Sequence, residues 1–211
     1  MTSPRTRKPV DRDRADRPTN VLMAGVGGQG VLIASEILAL AALAAGLSAK
    51  QSEVHGVAQR GGSVVSHVRF GPRVHSPLIR CGEVDALCAA ERLEALRYAH
   101  YVKPGGTFVI NDHAIKPIRM PGEDEQPYPE GVGDFLRDKG YDVVLVGAFA
   151  EARPLGDKRC ANVVLLGVLS TRLELPDASW RSALAQRLPV AVRALNLRAF
   201  DTGHALPHPV R

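Results

Sequence analysis

Val21-Leu22-Met23-Ala24-Gly25-Val26-Gly27-Gly28-Gln29-Gly30-Val31 is a short apolar run that passes through four glycines into a second apolar run. A buried strand that turns at once into a helix has this pattern, because the apolar residues need cover on both sides and the glycines permit a tight turn. Gly25-Val26-Gly27-Gly28-Gln29-Gly30 satisfies G-x-G-x-x-G in the context where that spacing has physical meaning, after a strand and opening a helix. On this reading the first glycine allows the turn, the second keeps a Cβ out of the path of a phosphate, and the last lets helix and strand pack closely. The free N–H groups and positive dipole end of the helix then favour an anion.

Outward from this turn, the helix from about Gln29 to Ala45 is apolar almost all round and must be covered on several sides, in part by another chain. Ser63–Phe70 alternates and is rich in β-branched residues, as a strand does, and Gly71-Pro72 closes it. Val84–Ala89 and Glu91–Tyr101 form a strand and helix pair. Lys103-Pro104-Gly105-Gly106 reads as a turn before the strand Thr107–Asn111. A short helix at 131–139, a strand at 141–146 and a helix start at 147–151 follow, then a break at Pro154-Leu155-Gly156 and helices at 162–172, 179–188 and 190–197. Strands alternating with helices specify an α/β fold, with a parallel or mixed sheet, helices on both faces and a Rossmann-like glycine-rich first βα turn. Ligands of such sheets bind beyond the carboxyl ends of the strands.

Residues 1–18 hold six Lys/Arg against three Asp and few apolar groups, so they read as a disordered basic tail ahead of a single domain over 19–211. The acidic, Pro-rich stretch 112–130 reads as a surface excursion. The tail carries +3 of the formal +5, and the body has no basic stripe of the kind nucleic acid requires. The apolar run 31–45 contains Glu36 and is too short to span a bilayer, and no secretory pattern is present, which places the protein in the cytoplasm. Cys81, Cys88 and Cys160 lack C-x-x-C spacing and read as small buried thiols, not as ligands of zinc or of an iron–sulfur cluster.

A dinucleotide ligand would call for an acid about 20 residues beyond the glycine turn, at the end of the second strand. Glu53 is the nearest candidate, but it sits in polar, glycine-rich sequence. The alternative of a free-standing NAD(P)-dependent oxidoreductase is therefore weaker than another phosphate-bearing ligand, coenzyme A included. A second cluster, Glu53-Val54-His55-Gly56-Val57-Ala58-Gln59-Arg60-Gly61-Gly62, sets His55 as a candidate proton carrier and Arg60 as a bidentate partner for phosphate or carboxylate.

These blocks taken together resemble the gamma-type domain of the 2-oxoacid:ferredoxin oxidoreductases, most closely its indolepyruvate type. The resemblance rests on GVGGQG (Gly25–Gly30), EVHGVAQRGGSVVSHVRFG (Glu53–Gly71), SPLI with GEVD (Ser76–Ile79, Gly82–Asp85), ERLEALR (Glu91–Arg97), KPGGTFVIND (Lys103–Asp112) and ANVVLLGVL (Ala161–Leu169). It implies a subunit, inactive alone, of an enzyme that converts a 2-oxoacid and coenzyme A to acyl-CoA, carbon dioxide and reduced ferredoxin. It also implies that thiamine diphosphate and the iron–sulfur clusters belong to a large catalytic alpha subunit. By the same resemblance Gly25, Gly27, Gly28, Gln29, Gly30, Gln59, Arg60, Gly61 and Gly62 face coenzyme A or the partner.

Overall fold

The computed structural model describes residues 17–55, 62–116 and 127–207. Six strands form one mixed sheet: β1 (Thr19–Val26), β2 (Ser48–His55), β3 (Ser63–Gly71), β4 (Val84–Ala89), β5 (Val102–Asn111) and β6 (Asp142–Val146), in the order β2-β3-β1-β4-β5-β6. β1, β4, β5 and β6 run parallel, whereas β3 lies antiparallel to both β1 and β2. Seven α-helices surround it: α1 (Val31–Ala44), α2 (Arg92–Arg97), α3 (Val132–Asp138), α4 (Ala148–Ala152), α5 (Ala161–Ser170), α6 (Asp177–Arg187) and α7 (Val190–Ala205).

The alternation of strand side chains divides the core in two. Val21 and Met23 of β1, Cys88 of β4 and Val109 of β5 face α1 and α4–α7, with Trp180 and Phe200 at the centre of the helical layer. Leu22 and Ala24, with Leu87, Phe108 and Ile110, face α2 and α3 instead. Helices cover both faces, as the βα alternation requires.

Several local expectations change. Much of the apolar surface of α1 is covered by α6, β2 and β3 of the same chain, while Leu43 stays 51% exposed. β2 is a strand that the sequence pattern hides, because it is a polar edge strand held by hydrogen bonds: Gln51 Nε2 donates to the buried Ser35 Oγ at 2.6 Å and to Glu53 Oε1 at 3.1 Å. Lys103–Gly106 does not interrupt the chain but lies within β5 as an irregularity opposite Val84–Ala86, where Lys103 Nζ pairs with Asp85 at 2.5 Å. α7 runs eight residues beyond Leu197, because Gly203 serves a close helix contact and does not end the helix. Cys88 and Cys160 are buried as read, but Cys81 is exposed in the turn before β4.

Residues 1–16 of the basic tail and 117–126 of the excursion lie outside the described residues. The flanks of the excursion are pinned. Glu91 is 1% exposed and accepts from Ile115 N and Glu94 N, each at 3.0 Å, and from the Tyr128 hydroxyl. Among the described residues, no helix is long and apolar enough to cross a membrane.

His67 of β3 is buried, and its Nδ1 accepts from Ile79 N at 3.2 Å, which requires the neutral ring with its proton on Nε2. Burial lowers its pKa below the ordinary 6.5. The unfolded chain therefore binds a proton near pH 6.5 that the folded chain resists. This contribution to stability is present above about pH 6.5 and is lost as pH falls from there through the lowered folded value. The denaturant midpoint should be higher at pH 7.5 than at 5.5, with a shallower slope in His67→Gln; an unchanged slope would show that His67 plays no part.

Candidate functional site

The glycine turn stands where the carboxyl ends of the parallel strands meet. Gly25 ends β1 against its surroundings: a Cβ there would lie 2.7 Å from Val31 Cγ2 and 3.0 Å from Ala90 Cβ. Close packing thus falls to both ends of the motif: Gly25 against Val31 and Ala90, and Gly30 against Asn162 of α5. Gly28 has φ +99° and open space around it, and Gly30 has φ +74° and caps α1 without a side-chain hydrogen bond. Both need the left-handed region that glycine alone adopts freely.

Much of the turn is spoken for internally. Gly27 N donates to Gly62 O at 2.9 Å and Gln29 N to Val26 O at 3.1 Å. The Gln29 side chain accepts from Val26 N at 2.7 Å and donates to Ala90 O at 3.0 Å, so its amide ties β1 to β4 and is not presented to a ligand. Asn111, at the end of β5, donates to the same Ala90 carbonyl at 3.2 Å and accepts from Ala148 N at 3.0 Å, fastening β5 to β4 and to the start of α4. Asn162 of α5 donates to Gly30 O at 3.2 Å. The four parallel strand ends form one laced, rigid platform.

An open groove of about 570 Å³ lies on this platform. Gly28, Gln29 and Gly30 line it at β1, Ala90 at β4, Asn111 and His113 at β5 and Phe149 at α4, with Ile33 and Leu165 as apolar floor. His113 and Phe149 meet edge to face with ring centroids 4.7 Å apart. Arg153, Lys158, Arg159 and Asn162 complete the lining. Arg159 clasps Asp157, with Nη2 to Oδ2 at 2.7 Å, and this bond holds the Asp157 carboxyl below its ordinary range.

Gly62 is brought against the glycine turn through Gly27, and Ser63, next to it, gives its hydroxyl to Glu94 of α2. The two glycine clusters of the sequence therefore meet at one edge. Gln59, Arg60 and Gly61 lie outside the described residues, as does the His55 side chain. The groove residues Asn111, His113, Phe149, Arg153, Lys158 and Asn162 were missed by sequence reasoning. Asn111 and Asn162 carried a signal, since they belong to the KPGGTFVIND and ANVVLLGVL blocks.

Glu53 is not at a dinucleotide position. Its strand β2 is the sheet edge, two places from β1 and antiparallel to its neighbour, and not the strand beside the glycine turn that would bring an acid to a ribose. Burial pushes the Cys88 thiol up to about 12, burial and Asp157 raise Cys160, and Cys81 is exposed in the turn before β4. Among the described residues no group of three His, Cys, Asp or Glu side chains is placed to hold a metal ion.

Residues 20–206 match the family described as pyruvate ferredoxin/flavodoxin oxidoreductase. The chain belongs to this family. Among curated relatives, the indolepyruvate oxidoreductase subunit IorB of Thermococcus kodakarensis is 35% identical over 188 residues, covering 87% of this chain and 93% of the relative. IorB of Archaeoglobus fulgidus is 36% identical over 188 residues, with 88% and 93% covered. Both are single subunits of oxidoreductases, and the likeness runs nearly end to end. The fold also matches the pyruvate oxidoreductase subunit PORC of Thermotoga maritima, with a TM-score of 0.67 at 20% identity and 90% and 96% of the two chains covered. A 2-oxoglutarate:ferredoxin oxidoreductase of Magnetococcus marinus, solved with 2-oxoglutarate, coenzyme A and succinyl-CoA, matches with a TM-score of 0.69 at 24% identity. There the likeness covers 92% of this chain but 32% of the other, so the same fold occurs as one part of a longer chain.

Proposed function

We propose that this chain is the small subunit of a cytoplasmic indolepyruvate-type 2-oxoacid:ferredoxin oxidoreductase, and that the groove on its strand ends receives coenzyme A. The reaction takes carbon dioxide and two electrons from the 2-oxoacid, passes the electrons to ferredoxin and joins the acyl group to the thiol. The observation that carries this reading is the groove itself: an apolar floor with cations at its rim suits a long ligand with a phosphate head. Among the described residues no nucleophile and base pair lines the groove, which fits a chain that binds and orients a co-substrate while a large alpha subunit carries the thiamine diphosphate and the clusters. Thiamine diphosphate, when bound there, supplies the stabilisation of negative charge that decarboxylation requires. The residues of this chain hold the thiol bearer in place and keep its apolar arm out of water.

Reconstitution with the large subunit tests this. Coenzyme A-dependent reduction of a viologen dye by indolepyruvate should be lost when this chain is omitted, and Ile33→Trp, which fills the groove, should raise the KM for coenzyme A about tenfold or more in an assembled complex. Full turnover without the chain, or an unchanged KM in Ile33→Trp, would overturn the reading.

A further inference from the structure

We infer that the groove has a direction: the segment from Arg153 to Arg159, between α4 and α5, is its anion-binding end, and the glycine turn at Gly28–Gly30 is its uncharged end. The inference rests on the coenzyme A reading and deepens it. A ligand with a phosphate head and a neutral, thiol-bearing arm then lies with its phosphates against Arg153 and Lys158 and its thiol toward Gly28–Gly30.

Two sets of facts separate the ends. At the glycine turn the motif usually read as a phosphate cradle is half spent, because Gly27 N, Gln29 N and both ends of the Gln29 amide are bonded within the protein. No charged side chain occurs from Gly25 to Ala34. The N–H groups at the start of α1 remain, but they lack a charged partner to hold a polyanion.

Across the groove the balance is reversed. Arg153, Lys158 and Arg159 all line it, and Asp157 is the acid between them. Arg159 and Asp157 satisfy each other. Arg153 and Lys158 are exposed and make no ion pair or hydrogen bond with the described residues, so a guanidinium and an ammonium are left facing the groove. A guanidinium takes phosphate oxygens bidentately, and an ammonium adds a mobile point charge. Between the two ends lie Ile33, Ala90, Phe149 and Leu165, which offer an uncharged arm only apolar contact. The two ends come from different segments: Gly28–Gly30 follow β1, whereas Arg153 and Lys158 lie between α4 and α5.

The test compares coenzyme A, 3′-dephospho-coenzyme A and pantetheine in the assembled complex, by KM and by calorimetric affinity. Arg153→Gln and Lys158→Gln should each weaken coenzyme A about tenfold, while pantetheine, which has no phosphate, should bind as it does to the wild type. The wild-type loss of affinity on raising salt should shrink in the double variant. Equal weakening of coenzyme A and pantetheine, or no weakening of either, would overturn the assignment. Ile33→Trp separates the two levels. If it weakens coenzyme A while the cation variants do not, the direction fails and the groove stands; if it leaves coenzyme A binding unchanged, the groove reading itself has failed.

Discussion

Gly203→Ala is expected to destabilise the protein by about 3 kcal/mol or more, the upper range for overpacking, although the same change on an exposed helix stabilises by about 1 kcal/mol. The two effects have opposite signs, so the result is decisive. α5 and α7 cross with their backbones in contact: a Cβ on Gly203 would lie 1.9 Å from the Val164 carbonyl oxygen, and one on Gly167 would lie 2.2 Å from the Phe200 oxygen. Neither obstacle is the tip of a side chain that can turn aside. The helices must move apart, and Leu166, Leu169, Phe200 and Trp180, all fully buried, would lose contact with them. Against the 5–15 kcal/mol of a typical domain such a loss is large. Urea unfolding followed by far-UV circular dichroism measures it. A midpoint at or above that of wild type would show that the crossing is not close.

Gly30→Ala is expected to reduce coenzyme A use by about a hundredfold or more, from two additive causes. Alanine at φ +74° carries a penalty of about 1–2 kcal/mol for the left-handed conformation. Its Cβ would also stand 2.5 Å from Asn162 Nδ2, breaking the bond from Asn162 to the Gly30 carbonyl and driving a groove-lining side chain outward. Gly28→Ala, at φ +99° with nothing within 4 Å, incurs the conformational part alone and should lose less. Adding Asn162→Ala to Gly30→Ala relieves the clash and should recover stability while the backbone penalty stays. Gly30→Ala with wild-type KM for coenzyme A would show that the turn does not shape the groove.

The turn was legible in sequence because its meaning is local. A buried apolar run, four glycines and a second apolar run admit few backbones, and the parallel strands Val84–Ala89 and Thr107–Asn111 were plain for the same reason: central strands must be apolar on both faces. β2 was not legible. Its residues Ala49-Lys50-Gln51-Ser52-Glu53 are a strand only because β3 supplies a ladder and Ser35 receives Gln51, and neither is near in sequence. The exposed Cys81 shows the same limit, since burial is a property of the surroundings and not of the thiol.

Gln29 is the most instructive of the candidate residues. Its place in the motif points outward to a ligand, yet its amide is consumed by Val26 and Ala90. Conversely, Arg153 and Lys158 sit in a Pro- and Gly-broken stretch with no motif of their own, and only the return of α5 toward Gly30 gives them a groove to face.

The sequence by itself determined the α/β architecture, the glycine turn at the head of α1 and the kinship with the pyruvate ferredoxin/flavodoxin oxidoreductases, because each depends on short-range pattern or on ordered blocks of residues. The tertiary structure alone decided the antiparallel flank β2–β3, the packing of α6 on α1, the backbone contact of α5 with α7, and the placing of Arg153 and Lys158 on the same groove as the glycines. These depend on which elements meet across long stretches of chain. Pairing, burial and the satisfaction of hydrogen bonds are set by neighbours that folding brings together, and no local run of residues carries them.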